Sequence, residues 1–237
     1  MTLLDANETD LDLDRIALAA PRHYYGVYPG TVSDNQDPEG QGRVQVRLPW
    51  SPDAGSEEYN VWARLATLSA GDNRGSWVIP EIDDEVLVCF GGGDPRWPYV
   101  VGSLWNGVDA PPETISANND IRSLTSRTGI KITMDDTAGA VTLTLSTPGG
   151  QKITLDDGAS KVLLEDSGGN SLEMAPSGVT LTAASALKIS ASTITVDCGS
   201  ANVNSAMWTY SGVISCSTII ASSVVGSSYT PGAGNVW

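Results

Sequence analysis

The chain has 237 residues, with 13 Lys+Arg against 28 Asp+Glu and a formal net charge of −15. Hydrophobic residues make up 41% and charged residues 17%, which excludes a wholly disordered chain, since disorder needs few apolar residues together with high charge. The negative balance argues against a nucleic-acid partner, whose phosphates are held mainly by Lys and Arg, and no run reaches the ~18–20 apolar residues of a membrane-spanning helix.

Met1 to Asp14 is acidic and lacks the basic-then-apolar order of a signal peptide, so a soluble protein made in the cytosol is expected. Leu11, Leu13, Ile16 and Leu18 are spaced to line a short amphipathic helix over residues 10–20. His23, the single histidine, stands beside Tyr24 and Tyr25 at the entry to the first strand and reads as a structural or surface residue. One histidine excludes most catalytic triads and every multi-His metal site. Cys89, Cys198 and Cys216 lack the short Cys or His spacing of a zinc site and read as reduced, small apolar fillers.

Residues 1–119 hold 19 acidic and 7 basic side chains, a net of −12, together with Trp50, Trp62, Trp77, Trp97, Trp105, Phe90 and five of the seven tyrosines. This composition predicts an aromatic-cored domain. Arg43 to Leu48 and Val61 to Leu65 alternate apolar and polar side chains as half-buried strands do. Glu85 to Phe90 and Tyr99 to Trp105 are further β-rich runs. Turn signals separate them at Asp37-Pro38-Glu39-Gly40, Pro52-Asp53-Ala54-Gly55, Gly71-Asp72-Asn73 and Gly91-Gly92-Gly93-Asp94-Pro95. Five or six short strands over about 85 residues suit a small closed barrel of the OB type. Gly91-Gly92-Gly93-Asp94 lacks the Gly-Lys-Ser/Thr ending of a phosphate loop and reads as a turn. Asp83, Asp84 and Glu85 likewise read as turn residues rather than acid–base catalysts.

From Asn106 to Met207 there is no aromatic residue. Short strands are expected at 130–134, 141–145, 152–155, 162–165, 171–174, 179–182, 187–190 and 193–196, recurring every seven to eleven residues. The Asp-Asp turns at 135–136 and 156–157 lack the regular pattern of calcium-binding repeats and read as solvated turns. One copy of such a ladder buries too little to offset about 1–2 kcal/mol of backbone entropy per residue, and its edges invite further pairing. Three identical chains around one axis remove both difficulties, and three inward rows meeting at an axis leave space for Ile, Val, Leu and Thr but not Trp. Strands ~4.8 Å apart over eight to ten levels give a needle on the order of 40–50 Å long. From Cys198 to Trp237 there is no charged side chain; such an end meets less resistance in lipid, and Val236 and Trp237 suit a docking surface.

Residues 25–107 resemble the OB domain of phage baseplate assembly protein V and the VgrG-like central spike proteins of contractile injection systems. The words that carry the resemblance are Gly26-Val27-Tyr28-Pro29-Gly30-Thr31-Val32, Gly42 through Trp50, Trp62-Ala63-Arg64, Ala70 through Gly75, Pro80 through Val88, and above all Gly93 through Gly107. The resemblance implies an all-β chain, an N-terminal OB-fold barrel followed by a C-terminal intertwined trimeric β-helix. The expected divisions are an N-terminal segment at 1–22, the OB domain at 23–110, a linker at 111–120, the needle at 121–205 and an uncharged tip at 206–237.

The implied role is a homotrimeric structural spike, assembled in the cytoplasm as part of a phage tail-like particle. It would touch the target membrane transiently and have no catalytic residue, cofactor or metal. No hub-like domain precedes residue 20, so a separate baseplate hub protein is expected on the N-terminal side. No lysozyme-like domain stands between barrel and needle, so lytic activity does not carry over. No histidine follows His23, so the iron-holding His-x-His of some family needles is not expected. A PAAR-type tip protein is expected at the C-terminal end, on Tyr229, Pro231, Val236 and Trp237. The alternative is a trimeric tail fibre, adhesin or carbohydrate-binding module, with Trp208, Tyr210, Tyr229 and Trp237 available for a receptor site.

Overall fold

The computed structural model describes residues 23–51 and 59–228. The amphipathic segment at 10–20 and the tip-interface residues Tyr229, Pro231, Val236 and Trp237 lie outside the described residues. Regular structure among the described residues is β, apart from one turn of 3-10 helix at Gly91–Gly93. The residues up to Ala186 form one unit and those from Leu187 another.

The first unit begins with β1 (Val27–Asp34), β2 (Val44–Arg47) and β3 (Asn60–Leu65). A two-residue hairpin, β4 (Ala70–Gly71) with β5 (Arg74–Gly75), precedes β6 (Glu85–Phe90) and β7 (Pro98–Ser103). Five strands close a barrel in the order β1-β2-β3-β7-β6. All neighbours are antiparallel except β3 and β7, which run parallel. β1 serves two partners: Val27–Thr31 pairs with β6, and Thr31–Asp34 pairs with β2, with a bulge between Val32 and Asp34. Such a bulge bends a strand, which lets one strand close the barrel. Gly30 sits where β1 crosses β2; a Cβ there would lie 2.5 Å from Val46 Cγ1.

The barrel interior departs from the aromatic core expected of the sequence. Its buried residues are Val32, Val44, Val46, Leu48, Ala63, Val86, Val88, Phe90 and Val100. A five-stranded barrel has room at its axis for branched aliphatics and little else. The aromatics instead lie at its end and outside. Tyr28 stacks on Trp50 with ring centroids 4.6 Å apart, and Tyr24 packs edge-on against Trp50 and tilted on Phe90. Trp77, Trp97 and Trp105 are exposed. The β1–β2 loop is held by Asp37, whose carboxylate accepts from the backbone N–H groups of Glu39, Gln41 and Arg43 and pairs with Arg43 Nη2 at 2.8 Å.

Beyond the barrel, seven five-residue strands form one antiparallel meander. They are β8 (Ile121–Thr125), β9 (Lys131–Asp135), β10 (Thr142–Ser146), β11 (Lys152–Asp156), β12 (Lys161–Glu165), β13 (Ser171–Ala175) and β14 (Gly178–Thr182). Each pairs with the next in chain order. The register puts Thr144 across from both Thr133 and Thr154. Arg127 reaches back to Glu81 of the barrel at 3.1 Å.

β8 is a strand that the sequence pattern did not announce, because Arg122 occupies a position that is apolar in the other six. The strands expected at 187–190 and 193–196 do not form within one chain. No helix or strand occurs among the described residues 183–228. This second unit runs extended between sharp bends at Ser192, Gly199, Ala206, Gly212, Ser217, Ser222 and Ser227. Segments of four to six residues between bends leave no room for a hairpin to fold back on its own predecessor.

Candidate assembly surface

Side chains alternate faces along a strand, and in the meander this sorts them by polarity. Positions two and four of every strand share one face. In register they form two columns: Arg122, Met134, Leu143, Leu155, Val162, Met174, Val179, and Leu124, Ile132, Leu145, Ile153, Leu164, Leu172, Leu181. Thirteen of the fourteen are aliphatic or Met, and many stand open to solvent in the single chain, Leu124 at 69% and Leu181 at 56%. A contiguous face of exposed aliphatic side chains marks an interaction surface, unlike apolar residues scattered singly. Arg122, the exception, lies at the first level, where it pairs with Asp136.

The opposite face carries Ser123, Thr133, Thr144, Thr154, Leu163, Glu173 and Thr180 in its central column, polar but for Leu163, and is flanked by charged ends. Lys152 pairs with Glu165 at 3.5 Å and Lys161 with Glu173 at 3.7 Å. Glu113, from the segment between barrel and meander, lies 2.6 Å from Lys131 Nζ. The Lys131 ammonium, with help from the Ser123 hydroxyl, holds the Glu113 carboxyl below the ordinary range. This segment is thereby tied to the first levels of the ladder.

In the second unit the backbone itself is the unsatisfied group. Among the described residues 187–228, no backbone N–H donates to a backbone carbonyl of the same chain. Leu187, Ile189, Ile194, Val196, Val213 and Ile220 are all exposed. Extended backbone needs partners for its N–H and C=O groups, and these must come from outside the chain or from water.

The remaining sequence candidates fall where turn chemistry placed them. Asp84 accepts from the Glu81 backbone N–H at 2.8 Å, Glu85 accepts from Asn106 Nδ2, and Asp83 adopts a left-handed φ of 75°. Asp94 grips Arg96 at 2.6 Å, which holds its carboxyl down at about 2. Asp135 accepts from Thr137, and Asp156 accepts from the Ala159 N–H. No group of three or more metal-ligating side chains occurs among the described residues. His23 is exposed and stacks on Tyr25 with centroids 5.7 Å apart. The inward apolar side chains expected of each short strand fall at positions two and four, and register aligns them into the two columns.

Comparison with known proteins matches this architecture part by part. Residues 28–105 match the family described as the type VI secretion system/phage-baseplate injector OB domain. Residues 142–207 match the family described as the phage baseplate V C-terminal trimerisation domain. The type VI secretion system spike protein VgrG1a of Pseudomonas aeruginosa is 35% identical over 108 residues, 42% of this chain and 17% of that protein. VgrG3 of Vibrio cholerae, another type VI secretion system spike protein, is 38% identical over 72 residues, 30% of this chain and 7% of that protein. The actin cross-linking toxin VgrG1 of Vibrio cholerae is 36% identical over 75 residues, again 7% of its length. The matched region is thus a small part of these long relatives. One family is matched in the barrel and the other from β10 into the second unit, so the chain is similar in both parts to the phage baseplate V and VgrG-like spike proteins.

Proposed function

We propose that this chain is the structural spike of a contractile, phage tail-like injection system, a homotrimer that links a hub protein to a tip protein and pierces the target envelope. The observation that carries the reading is the pair of aliphatic columns on one face of the meander. A sheet with one dry face and one charged face needs a cover for the dry one. Three copies, each supplying one face of a prism, cover all three at once. The family matched at 142–207 is described as a trimerisation domain, which supports that number.

The second unit extends the reading. Its backbone has no ladder within the chain, so in the trimer its partners are the other two chains, wound together. The intervals between its bends shorten from seven residues (Ser192 to Gly199 to Ala206) to five (Gly212 to Ser217 to Ser222 to Ser227). Fewer residues per face make a narrower prism. The absence of charge from Cys198 to Trp237 suits passage through lipid, where a charged side chain costs at least ~2.5–3.5 kcal/mol at the bilayer centre.

On this reading residues 1–22 and the barrel's exposed Trp77 and Trp97 face the hub, and Tyr229, Pro231, Val236 and Trp237 receive a PAAR-type tip. The divisions are those of barrel (23–110), linker (111–120), needle (121–205) and tip (206–237), and the particle assembles in the cytoplasm. The role is structural rather than catalytic, in keeping with VgrG1a and VgrG3, which are type VI secretion system spike proteins. Molar mass of the full chain by light scattering tests the core of the proposal. Three times 24.8 kDa is the expected result, and a monomer overturns it.

A further inference from the structure

The two long margins of the meander carry opposite charges at the same levels. One margin reads, from β8 to β14, Thr125, Lys131, Ser146, Lys152, Glu165, Ser171, Thr182. The other reads Ile121, Asp135, Thr142, Asp156, Lys161, Ala175, Gly178. Level by level, Lys131 is matched by Asp135, Ser146 by Thr142, Lys152 by Asp156 and Glu165 by Lys161. Within one chain these matched residues sit at opposite ends of a five-residue strand, about 13 Å apart, too far to pair. The ion pairs the chain does make run elsewhere: Lys131 with Glu113, Lys152 with Glu165 and Lys161 with Glu173. Among the described residues neither Asp135 nor Asp156 has an ion-pair partner.

We infer that the partner of each margin is the opposite margin of a second copy of this chain, joined level to level, so that charge sets the register of the assembled spike. The inference rests on the trimer proposed above. Rotation about a three-fold axis preserves height and always brings one margin of a sheet against the other margin of its neighbour. At zero offset each corner then holds three attractive pairs: Lys131 with the neighbour's Asp135, Lys152 with its Asp156, and Glu165 with its Lys161. A slip of one level in one direction sets Lys152 against Lys161. A slip in the other direction sets Glu165 against Asp156. Either slip loses all three attractive pairs and gains a like-charge pair. The aliphatic columns alone do not make this distinction, since they are apolar at nearly every level. The charges supply the penalty against wrong registers that specific assembly needs.

The test uses the full chain at low salt and follows the thermal midpoint of the assembled species, with molar mass measured in parallel. Lys131→Glu with Lys152→Glu makes both margins acidic and should lower the midpoint by about 5 °C or more. Adding Asp135→Lys and Asp156→Lys should bring the midpoint back above that of either pair alone, although those carboxylates also accept bonds from their own turns. Because the two sets lie at opposite ends of each strand, such rescue can come only through another chain. Adding Ile121→Lys and Thr142→Lys instead, which are the partners in one of the slipped registers, should not rescue. In 1 M salt, where the Debye length is about 3 Å, the differences should shrink. No loss from the first pair, no rescue at 135 and 156, or rescue at 121 and 142 would overturn the register while leaving the trimer standing. A monomeric parent chain would overturn the trimer itself.

Discussion

Leu143 of β10 and Leu155 of β11 stand directly opposite each other, on the face of the meander whose single charged member is Arg122. Neither has a second layer above it in the chain. Leu155→Asp would leave the strand's own hydrogen bonds intact and place a carboxylate where the assembled spike is dry. Burying an unpaired charge costs several kcal/mol after relaxation, and three copies would bring three carboxylates to one level. The expected outcome is loss of the trimer by light scattering with the slow amide exchange of barrel strands β2 and β6 unchanged. Thr154→Asp, one residue away on the opposite face, should leave the trimer in place. Equal behaviour of the two variants would mean that the apolar face is not the interface.

The barrel offers a local test of packing. Gly30 lies where β1 passes over β2, and an added methyl group would sit 2.5 Å from Val46 Cγ1 and 3.1 Å from Leu48 Cδ2. Both neighbours are fully buried, so neither can turn aside cheaply. Gly30→Ala should destabilise the barrel by about 1–3 kcal/mol, the usual range for overpacking. Urea unfolding followed at Trp50 would read it. An unchanged midpoint would show that β1 can lift away from β2 without loss.

Much of this architecture was legible in the residues. Strands β2 and β3 follow alternation, β6 and β7 are the β-rich runs between turn signals, and β9 to β14 follow the repeat, whereas β1 was marked only by its entry beside Tyr25. What escaped had physical reasons. Arg122 interrupts the apolar pattern that would have marked β8. The tryptophans suggested an aromatic core, but a five-stranded barrel fills with valines and leaves bulky rings to its end and surface. Residues 187–190 and 193–196 have the composition of strands, yet the single chain places no partner strand beside them. The apolar columns were present in the repeat as positions two and four, and became a surface only once register aligned them.

Acid should loosen the barrel in a predictable direction. The Arg43 guanidinium, aided by the N–H groups of Glu39, Gln41 and Arg43, holds the Asp37 carboxyl far below the usual carboxylate range, and Arg96 holds Asp94 at about 2. Both groups have depressed folded-state values. Their contribution is therefore fully present above the ordinary carboxylate value near 4 and is lost as pH falls toward 2 and below. Asp37→Asn should reduce the difference in thermal midpoint between pH 6 and pH 3 relative to the parent. An unaltered pH dependence in that variant would assign acid sensitivity to other carboxylates.

Amide exchange would decide what the ribbon after Leu187 does. Its N–H groups find no backbone acceptor within the chain among the described residues, so a lone copy should exchange them at nearly the rate of free peptide. If three chains wind together, each N–H meets a carbonyl of a neighbour and exchange slows by orders of magnitude. Peptides from about 193 to 228 should therefore be protected in the full-length assembly, as strongly as those of β10 and β11. After dissociation, their protection should vanish, while the barrel strands β2 and β6, which pair within the chain, keep theirs. Rapid exchange of the ribbon in an intact trimer would confine the interface to the meander and leave the rest of the needle unpaired.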